Sequence, residues 1–159
     1  MKRTEVGRYW EENAETWTRH ARVGYDIYRD GLNTPAFLDM LPPVRGLRGL
    51  DIGCGEGSNT RELVRLGARM HAIDVAPTFI RYAHDAEKAK PLGIAYVVAD
   101  ATDLPFATGS FHFCDGFHVD DGHGQPRRCL VRGGTGIATG RFPSILDPAS
   151  GCRQLAQKR

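Results

Sequence analysis

The sequence predicts an α/β domain with a Rossmann-like, doubly wound parallel sheet, and three observations support this fold class. Short apolar runs alternate with amphipathic helical segments between residues 45 and 113. A glycine-rich turn follows the first of these runs, and an acidic residue ends or follows each of three runs in succession. Such alternation is typical of parallel strands joined by right-handed helical crossovers.

The chain ahead of the first strand predicts a helical cap. Apolar residues recur at helical spacing over residues 4–21. The pair Thr34-Pro35 has the residue types of a helix N-cap and first turn, which predicts a second helix over residues 36–41. Residues 1–44 are therefore expected to form a cap domain in a position to close over the strand ends.

The strands and helices of the central domain, residues 45–113, follow in regular order. The pattern predicts strands over residues 47–52, 69–73 and 94–98, the start of a fourth strand over residues 110–113, and helices over residues 59–66 and 77–90. Gly67 ends the first of these helices, and the Pro-Leu-Gly sequence at 91–93 ends the second.

The turn after the first strand is the strongest functional signal. Residues 50–57 read Leu-Asp-Ile-Gly-Cys-Gly-Glu-Gly. Glycines at alternate positions permit positive φ angles and let a ligand approach the main chain without a Cβ in the way. A helix opening at Ser58 would present unpaired N–H groups and the positive end of its dipole. This turn predicts a site for a nucleotide-like cofactor.

Three carboxylates lie at or just past the ends of successive strands: Asp51, Asp74 and Asp100. Because the carboxyl ends of parallel strands share one edge of a sheet, we expect these side chains to surround one ligand. Asp74 lies about 20 residues past the glycine turn, where it is placed to accept hydrogen bonds from both ribose hydroxyls. Asp100 is placed to accept from the amino group of an adenine, and Asp51 either holds the turn or meets an ammonium group.

These segments resemble the class I S-adenosylmethionine-dependent methyltransferases. Besides the glycine motif, the resemblance is carried by Ala-Ile-Asp-Val-Ala-Pro at 72–77 and Val-Val-Ala-Asp-Ala-Thr-Asp-Leu-Pro-Phe at 97–106. It implies an enzyme that transfers a methyl group from S-adenosylmethionine to a small-molecule acceptor. The cofactor-binding residues that it implies, together with the carboxylate at the start of the turn, are Tyr25, Asp51, Gly53, Cys54, Gly55, Asp74, Val75, Asp100 and Ala101.

Each of these residues has an expected partner on the cofactor. The main chain at 53–55 would contact the methionine part, and Tyr25 from the cap would touch its end. Val75 would pack on the adenine ring, whose amino edge would meet Asp100 and Ala101. Catalytic residues stay unassigned, because methyl transfer needs mainly orientation and a dry site, with a general base only where the acceptor must lose a proton.

An NAD-binding domain is the alternative within this fold. That motif is Gly-x-Gly-x-x-Gly, whereas the third glycine here, Gly57, comes one position early. The spacing therefore favours S-adenosylmethionine over NAD.

Composition argues against nucleic-acid and membrane partners and favours one cellular location. The 159 residues carry a formal net charge of +2 with scattered arginines, which argues against a nucleic-acid partner. No apolar stretch approaches the roughly 20 residues that span a bilayer, so no membrane partner is expected. The four cysteines form no C-x-x-C pair, which favours a reducing cytoplasm. Composition leaves the oligomeric state open.

The pattern changes after Cys114. Glycines interrupt every candidate element, so residues 114–159 are predicted to be an aberrant Gly/Arg-rich tail that leaves the C-terminal third of the fold incomplete or irregular. Codons shifted by one base from Asp115 onward can spell an apolar strand. We therefore hypothesise a frameshifted methyltransferase gene and expect weak or absent turnover. The alternative is a non-enzymatic remnant that at most binds the cofactor.

The same region contains several potential metal ligands: His112, Cys114, Asp115, His118, Asp120, Asp121 and His123. Their spacing lacks the C-x-x-C or H-x-x-x-H signature of a zinc site, and a shifted reading frame explains most of them. No metal site is predicted.

Overall fold

The computed structural model describes residues 3–107 and 109–116. Helices and strands alternate there after a helical N-terminal segment. The helices are α1 (Arg3–Arg22), α2 (Thr34–Met40), α3 (Ser58–Arg65) and α4 (Pro77–Ala89), with a π-helical turn over Arg29–Asn33, and the strands are β1 (Arg48–Ile52), β2 (Arg69–Asp74), β3 (Ala95–Val98) and β4 (Phe113–Asp115).

The four described strands form one sheet in the order β3-β2-β1-β4, and every neighbouring pair is parallel. The chain runs outward from β1 through β2 to β3 and then returns to the other side of β1. This reversal between β1 and β4 is a topological switch point, beside which open α/β sheets bind ligands. The predicted Rossmann-like parallel sheet is confirmed.

Apolar side chains cover both faces of the sheet, as a doubly wound fold requires. One cluster includes Leu63 of α3 and Met70 of β2, and the other includes Leu50, Ile52 and Phe111. All five residues are buried. The strands are therefore held from both sides, and their carboxyl ends are fixed relative to one another.

Gly49 in β1 allows close packing of side chains from the neighbouring strands. A Cβ at this position would lie 2.6 Å from Met70 Sδ and 2.7 Å from Phe113 Cε2. The absence of a side chain lets the Phe113 ring lie across β1, so the glycine fixes how β4 packs on the rest of the sheet.

The cap helix α1 packs along α4. Ala14 is fully buried against Ala76 and Phe79, with Trp10 beside them. The predicted helix over residues 4–21 is thus present. Thr34 is not the N-cap of α2, however, because the π-helical turn runs directly into that helix and Asn33 before it has helical angles (φ −70°, ψ −46°).

The fourth strand extends further along the chain than its predicted start. Pairing with β1 begins at Phe113 and continues through Cys114 to Asp115. His112 precedes the strand, and its main-chain N–H donates to the Arg48 carbonyl at 2.8 Å. The predicted aberrant tail covers residues 114–159. Its residues from 117 onward lie outside the described part of the chain.

Candidate functional site

The glycine turn follows β1 and is bound to the end of β2. Gly53, Gly55 and Gly57 have φ angles of +76°, +56° and +90°. The N–H groups of Gly53 and Cys54 both donate to the Ile73 carbonyl, at 2.8 and 3.0 Å. Apart from its two chain neighbours, no described residue has an atom within 4 Å of the position that a Cβ on Gly55 would take. The turn is therefore hydrogen-bonded to the end of β2 and has open space at its centre.

Asp74, at the end of β2, bridges this turn to the start of α4. Its Oδ2 accepts a hydrogen bond from the Gly55 N–H at 2.9 Å, and its Oδ1 accepts one from the Ala76 N–H at 2.9 Å. Burial raises the pKa of this carboxyl, and the main-chain donors oppose the shift. Because each carboxylate oxygen has two lone-pair sites, both oxygens can accept further hydrogen bonds from a ligand.

Asp51 holds the helix behind the turn. Its Oδ2 accepts a hydrogen bond from the Thr60 hydroxyl at 2.5 Å. The residue is 2% exposed, and burial raises its pKa to about 7, with the nearby charge of Asp74 adding to the shift. This bond joins Asp51 to α3, and the two roles expected for Asp51, support of the turn or contact with an ammonium group, stay predictions.

Asp100 lies at the same edge, past β3. The register pairs Val98 with Asp74, so Asp100 is two residues beyond the end of β2. Its Oδ1 accepts hydrogen bonds from the Thr102 N–H and hydroxyl, at 2.7 and 2.6 Å. Ala101 beside it is half-buried. Asp74 ends β2 and Asp100 follows β3 at this edge, whereas Asp51 lies within β1, opposite Ala72.

Val75 lies between this edge and the cap. It is half-buried, and its Cγ2 would be 3.2 Å from a Cβ placed on Gly7 of α1. The cap helix therefore contacts the segment that follows β2.

Tyr25 lies at the end of the cap helix. Its ring stacks on His20, with centroids 4.7 Å apart, and 73% of the residue is exposed. Its N–H donates to the His20 carbonyl at 3.1 Å. The expected contact of Tyr25 with a cofactor stays a prediction.

Two hydroxyl residues of α3 complete the site and were not found from the sequence. Thr60 bonds Asp51, and the Ser58 hydroxyl donates to buried Glu56 at 2.5 Å. Their only signal in the sequence is the position of both residues in the first turn of a helix that follows a glycine motif. A hydroxyl there is usually interpreted as a cap or a surface residue.

The described residues contain no cluster of three or more histidine, cysteine or acidic side chains placed to hold a metal ion. His112 instead accepts a hydrogen bond from the Arg48 N–H through its Nδ1, at 2.9 Å. The other two histidines among the potential metal ligands, His118 and His123, lie outside the described residues. Within the same described ranges, no helix has the length and hydropathy needed to span a membrane.

Comparison with known proteins identifies the same part of the chain. A family model for a methyltransferase domain matches residues 50–119. A ubiquinone biosynthesis O-methyltransferase of Xanthomonas oryzae pv. oryzae is 39% identical over 117 residues, covering 66% of this chain and 47% of that protein. A magnesium-protoporphyrin O-methyltransferase of Rhodobacter capsulatus is 31% identical over 122 residues, covering 70% of this chain and 54% of that protein.

Among solved structures, an S-adenosylmethionine-dependent methyltransferase from Mesorhizobium loti is 32% identical, with a TM-score of 0.48, and the match covers 55% of this chain and 42% of that one. The chain spans about half the length of the curated relatives it matches. These relatives give no support to an NAD-binding domain or a non-enzymatic remnant. The family model and the two curated relatives show that residues 50–119 belong to a methyltransferase domain.

Proposed function

We propose that this chain binds S-adenosylmethionine at the carboxyl edge of its sheet and transfers the methyl group to an oxygen atom of a small molecule. The observation that carries the proposal is the hydrogen bond between Asp74 and Gly55, 2.9 Å long. It fixes a carboxylate suited to ribose hydroxyls against a turn suited to close main-chain approach. The oxygen acceptor and its small-molecule class are taken from the names of the two curated relatives.

The adenosine half would lie across the ends of β2 and β3. Asp74 has remaining lone-pair sites for the ribose hydroxyls, and Val75 offers an apolar surface for the adenine ring. Asp100 and Ala101 follow β3 at the same edge, where they would meet the amino group of the base. This assignment uses side chains that the register already brings to one edge.

The methionine half would lie against the turn itself. The N–H groups of all three residues are already bonded, that of Gly55 to Asp74 and those of Gly53 and Cys54 to Ile73, but Gly55 has open space among the described residues where a Cβ would lie. We therefore assign the close approach to Gly55 and give Gly53 and Cys54 the role of shaping the turn beside it. Tyr25 would close this end if the cap segment moved toward the turn.

The bound cofactor supplies an electrophilic methyl group on a positively charged sulfur. The residues of this chain orient it and surround it with acidic groups, of which Asp51 and Asp74 are buried. Negative or polarised carboxyls near a cation lower its free energy in a low-dielectric site. Removal of a proton from the acceptor is left to a residue that stays unassigned, and turnover is expected to be weak.

Binding of S-adenosylhomocysteine, measured by calorimetry on the full 159-residue chain, tests the proposal. We expect saturable binding, no comparable binding of NAD, and at least about tenfold weaker binding by Asp74→Ala, because charge-assisted hydrogen bonds to the ribose are lost. Asp85→Ala is the matched control, since Asp85 is an exposed acid on α4. Binding of NAD in preference to S-adenosylhomocysteine would overturn the assignment.

Transfer of a labelled methyl group tests the chemical step. A panel of phenols and carboxylic acids, with amines for comparison, would report the acceptor atom. Labelled product from the oxygen acceptors, at a low rate, is expected; labelling of amines alone would contradict the proposal. A cytoplasmic location is part of the same proposal.

A further inference from the structure

A carboxylate of the cap holds the start of α4. Glu11 in α1 accepts two hydrogen bonds from Thr78, one from its N–H to Oε2 at 3.0 Å and one from its hydroxyl to Oε1 at 2.7 Å. Thr78 is the second residue of α4. Glu11 therefore contacts the first turn of a helix that lies 67 residues away in sequence.

This contact replaces a cap that α4 lacks. The residue before α4 is Ala76, which has no side chain able to accept a hydrogen bond from the helix. An acceptor at this position satisfies otherwise unpaired N–H groups, and its negative charge interacts favourably with the positive end of the helix dipole. Glu11 supplies both the hydrogen-bond acceptor and the negative charge from a separate helix.

The segment held in this way begins with the proposed adenosine-binding residues. Asp74 bonds the Ala76 N–H at 2.9 Å, two residues before Thr78. Val75 contacts α1 at Gly7, and Ala76 is fully buried in the small apolar cluster between α1 and α4. The segment 74–78 is therefore fixed at its start by the sheet and at its end by Glu11.

We propose that Glu11 is a positioning residue for the adenosine half of the cofactor, acting through the segment that carries Asp74 and Val75. This inference rests on the proposed function. Loss of the Glu11–Thr78 contact would free the start of α4 and widen the range of positions that the Asp74 carboxylate takes. Ribose binding needs that carboxylate at one position, so affinity would fall while the sheet stays intact.

A matched control is available one turn along the same helix. Glu15 accepts a hydrogen bond from the Tyr82 hydroxyl at 3.2 Å, and so joins the same two helices farther from Asp74. Removal of Glu15 weakens the packing of α1 on α4 without freeing the first turn of α4. Comparison of the two glutamates separates positioning of the site from general docking of the cap.

The test measures S-adenosylhomocysteine affinity by calorimetry, and the midpoint of thermal unfolding, in the full chain and in Glu11→Ala, Glu11→Gln and Glu15→Ala. We expect about tenfold weaker binding for Glu11→Ala and less than about twofold change for Glu15→Ala. Glu11→Gln, which retains one acceptor oxygen, should fall between them. If Glu11→Ala does not fold, Glu11→Gln decides, and affinity equal to that of the original chain would overturn the role.

A double-mutant cycle with Asp74→Asn measures whether the effect of Glu11→Ala on affinity depends on Asp74. A purely structural role of Glu11 would give no such dependence. If Glu11 acts through Asp74, the loss caused by Glu11→Ala should shrink to less than about threefold in the Asp74→Asn background. Equal losses in both backgrounds would overturn the positioning role. Failure of the original chain to bind S-adenosylhomocysteine would instead refute the proposed function, and the two failures are therefore distinguishable.

Discussion

Asp115 of β4 lies directly opposite Asp51 of β1 in the parallel register, and the two residues are 5% and 2% exposed. In the part of the chain that the structure describes, neither carboxylate oxygen of Asp115 has a hydrogen-bond partner. Burial raises its pKa well above the ordinary value, and the neighbouring Asp51 adds to the shift. Two carboxyl groups therefore share a buried position next to the glycine turn.

This pair predicts that stability falls as pH rises. An unfolded aspartate has a pKa of about 3.9, so between that value and the raised folded values the folded chain holds protons that the unfolded chain releases. The stabilisation is complete below about pH 4 and is lost progressively as pH rises through the folded pKa of Asp51, about 7. Urea unfolding at several pH values should show this slope.

Asp115→Asn removes a buried carboxyl group whose charged form has no solvation in the folded chain. We expect this variant to be more stable than the original chain by about 1–3 kcal/mol near pH 8 and to differ little near pH 4. Asp85→Asn, at an exposed position, is the control and should change stability by less than about 0.5 kcal/mol. Lower stability of Asp115→Asn near pH 8 would show that its carboxylate has a favourable partner.

Gly49→Ala should destabilise the sheet through steric overlap. The added methyl would overlap the Phe113 ring, with Cε2 at 2.7 Å, and would lie 2.6 Å from Met70 Sδ. Overpacking of this kind costs about 1–3 kcal/mol, measurable by urea unfolding. Phe113→Leu in the same chain should recover part of the loss, because it removes the ring that the methyl displaces. Full stability of Gly49→Ala alone would contradict the described packing of β4.

Tyr96→Phe should keep or raise stability. Tyr96 is 4% exposed and its hydroxyl has no hydrogen-bond partner among the described residues. Deleting an unpaired buried hydroxyl avoids its desolvation cost, so we expect a gain of up to about 1 kcal/mol in the free energy of unfolding. Tyr82→Phe is the comparison, because the Tyr82 hydroxyl donates to Glu15. A clear loss for Tyr96→Phe would reveal a partner for that hydroxyl.

Glu87 should carry much of the stability at the other end of α4. Its Oε1 accepts hydrogen bonds from the N–H groups of Leu92, Gly93 and Ile94, and its Oε2 lies 2.7 Å from Arg61 Nη1. Burial alone would raise the pKa of Glu87, but these donors and the guanidinium outweigh it and lower the pKa.

The lowered pKa gives the opposite dependence on pH from that of the aspartate pair. Stabilisation by Glu87 is present above the unfolded glutamate pKa of about 4.3 and is lost as pH falls through the lower folded value. Glu87→Gln should cost about 2–4 kcal/mol near pH 7 in urea unfolding. Glu62→Gln, in an exposed pair with Arg65, should cost far less. Similar losses for both variants would contradict the described role of Glu87.

Local patterns were sufficient to predict the sheet and the glycine turn. Alternating apolar runs located β1 to β3 within one or two residues, because strand and helix periods are short-range properties. Asp74 and Asp100 could be assigned to one edge because parallel connectivity alone brings strand ends together. Thr34 was assigned wrongly, since the π-helical turn before it leaves no local signature in the sequence.

The contacts between distant segments could not be predicted in this way. Glu11 has the pattern of a solvated residue on the polar face of a helix, and only the docking of α1 on α4 brings it to Thr78. Asp115 is buried because β4 pairs with β1, which the sequence after Cys114 does not indicate. Such contacts depend on tertiary packing, which propensity and spacing do not encode.

The central claim is that the glycine turn, the end of β2 and the end of β3 bind one adenosyl ligand together. A titration of the isotope-labelled chain with S-adenosylhomocysteine, followed by the amide resonances of Gly55, Val75 and Ala101, tests it most directly. We expect all three resonances to shift and to saturate with a single dissociation constant. If the ligand saturates the chain and the Val75 or Ala101 resonance does not shift, the result would contradict a shared site.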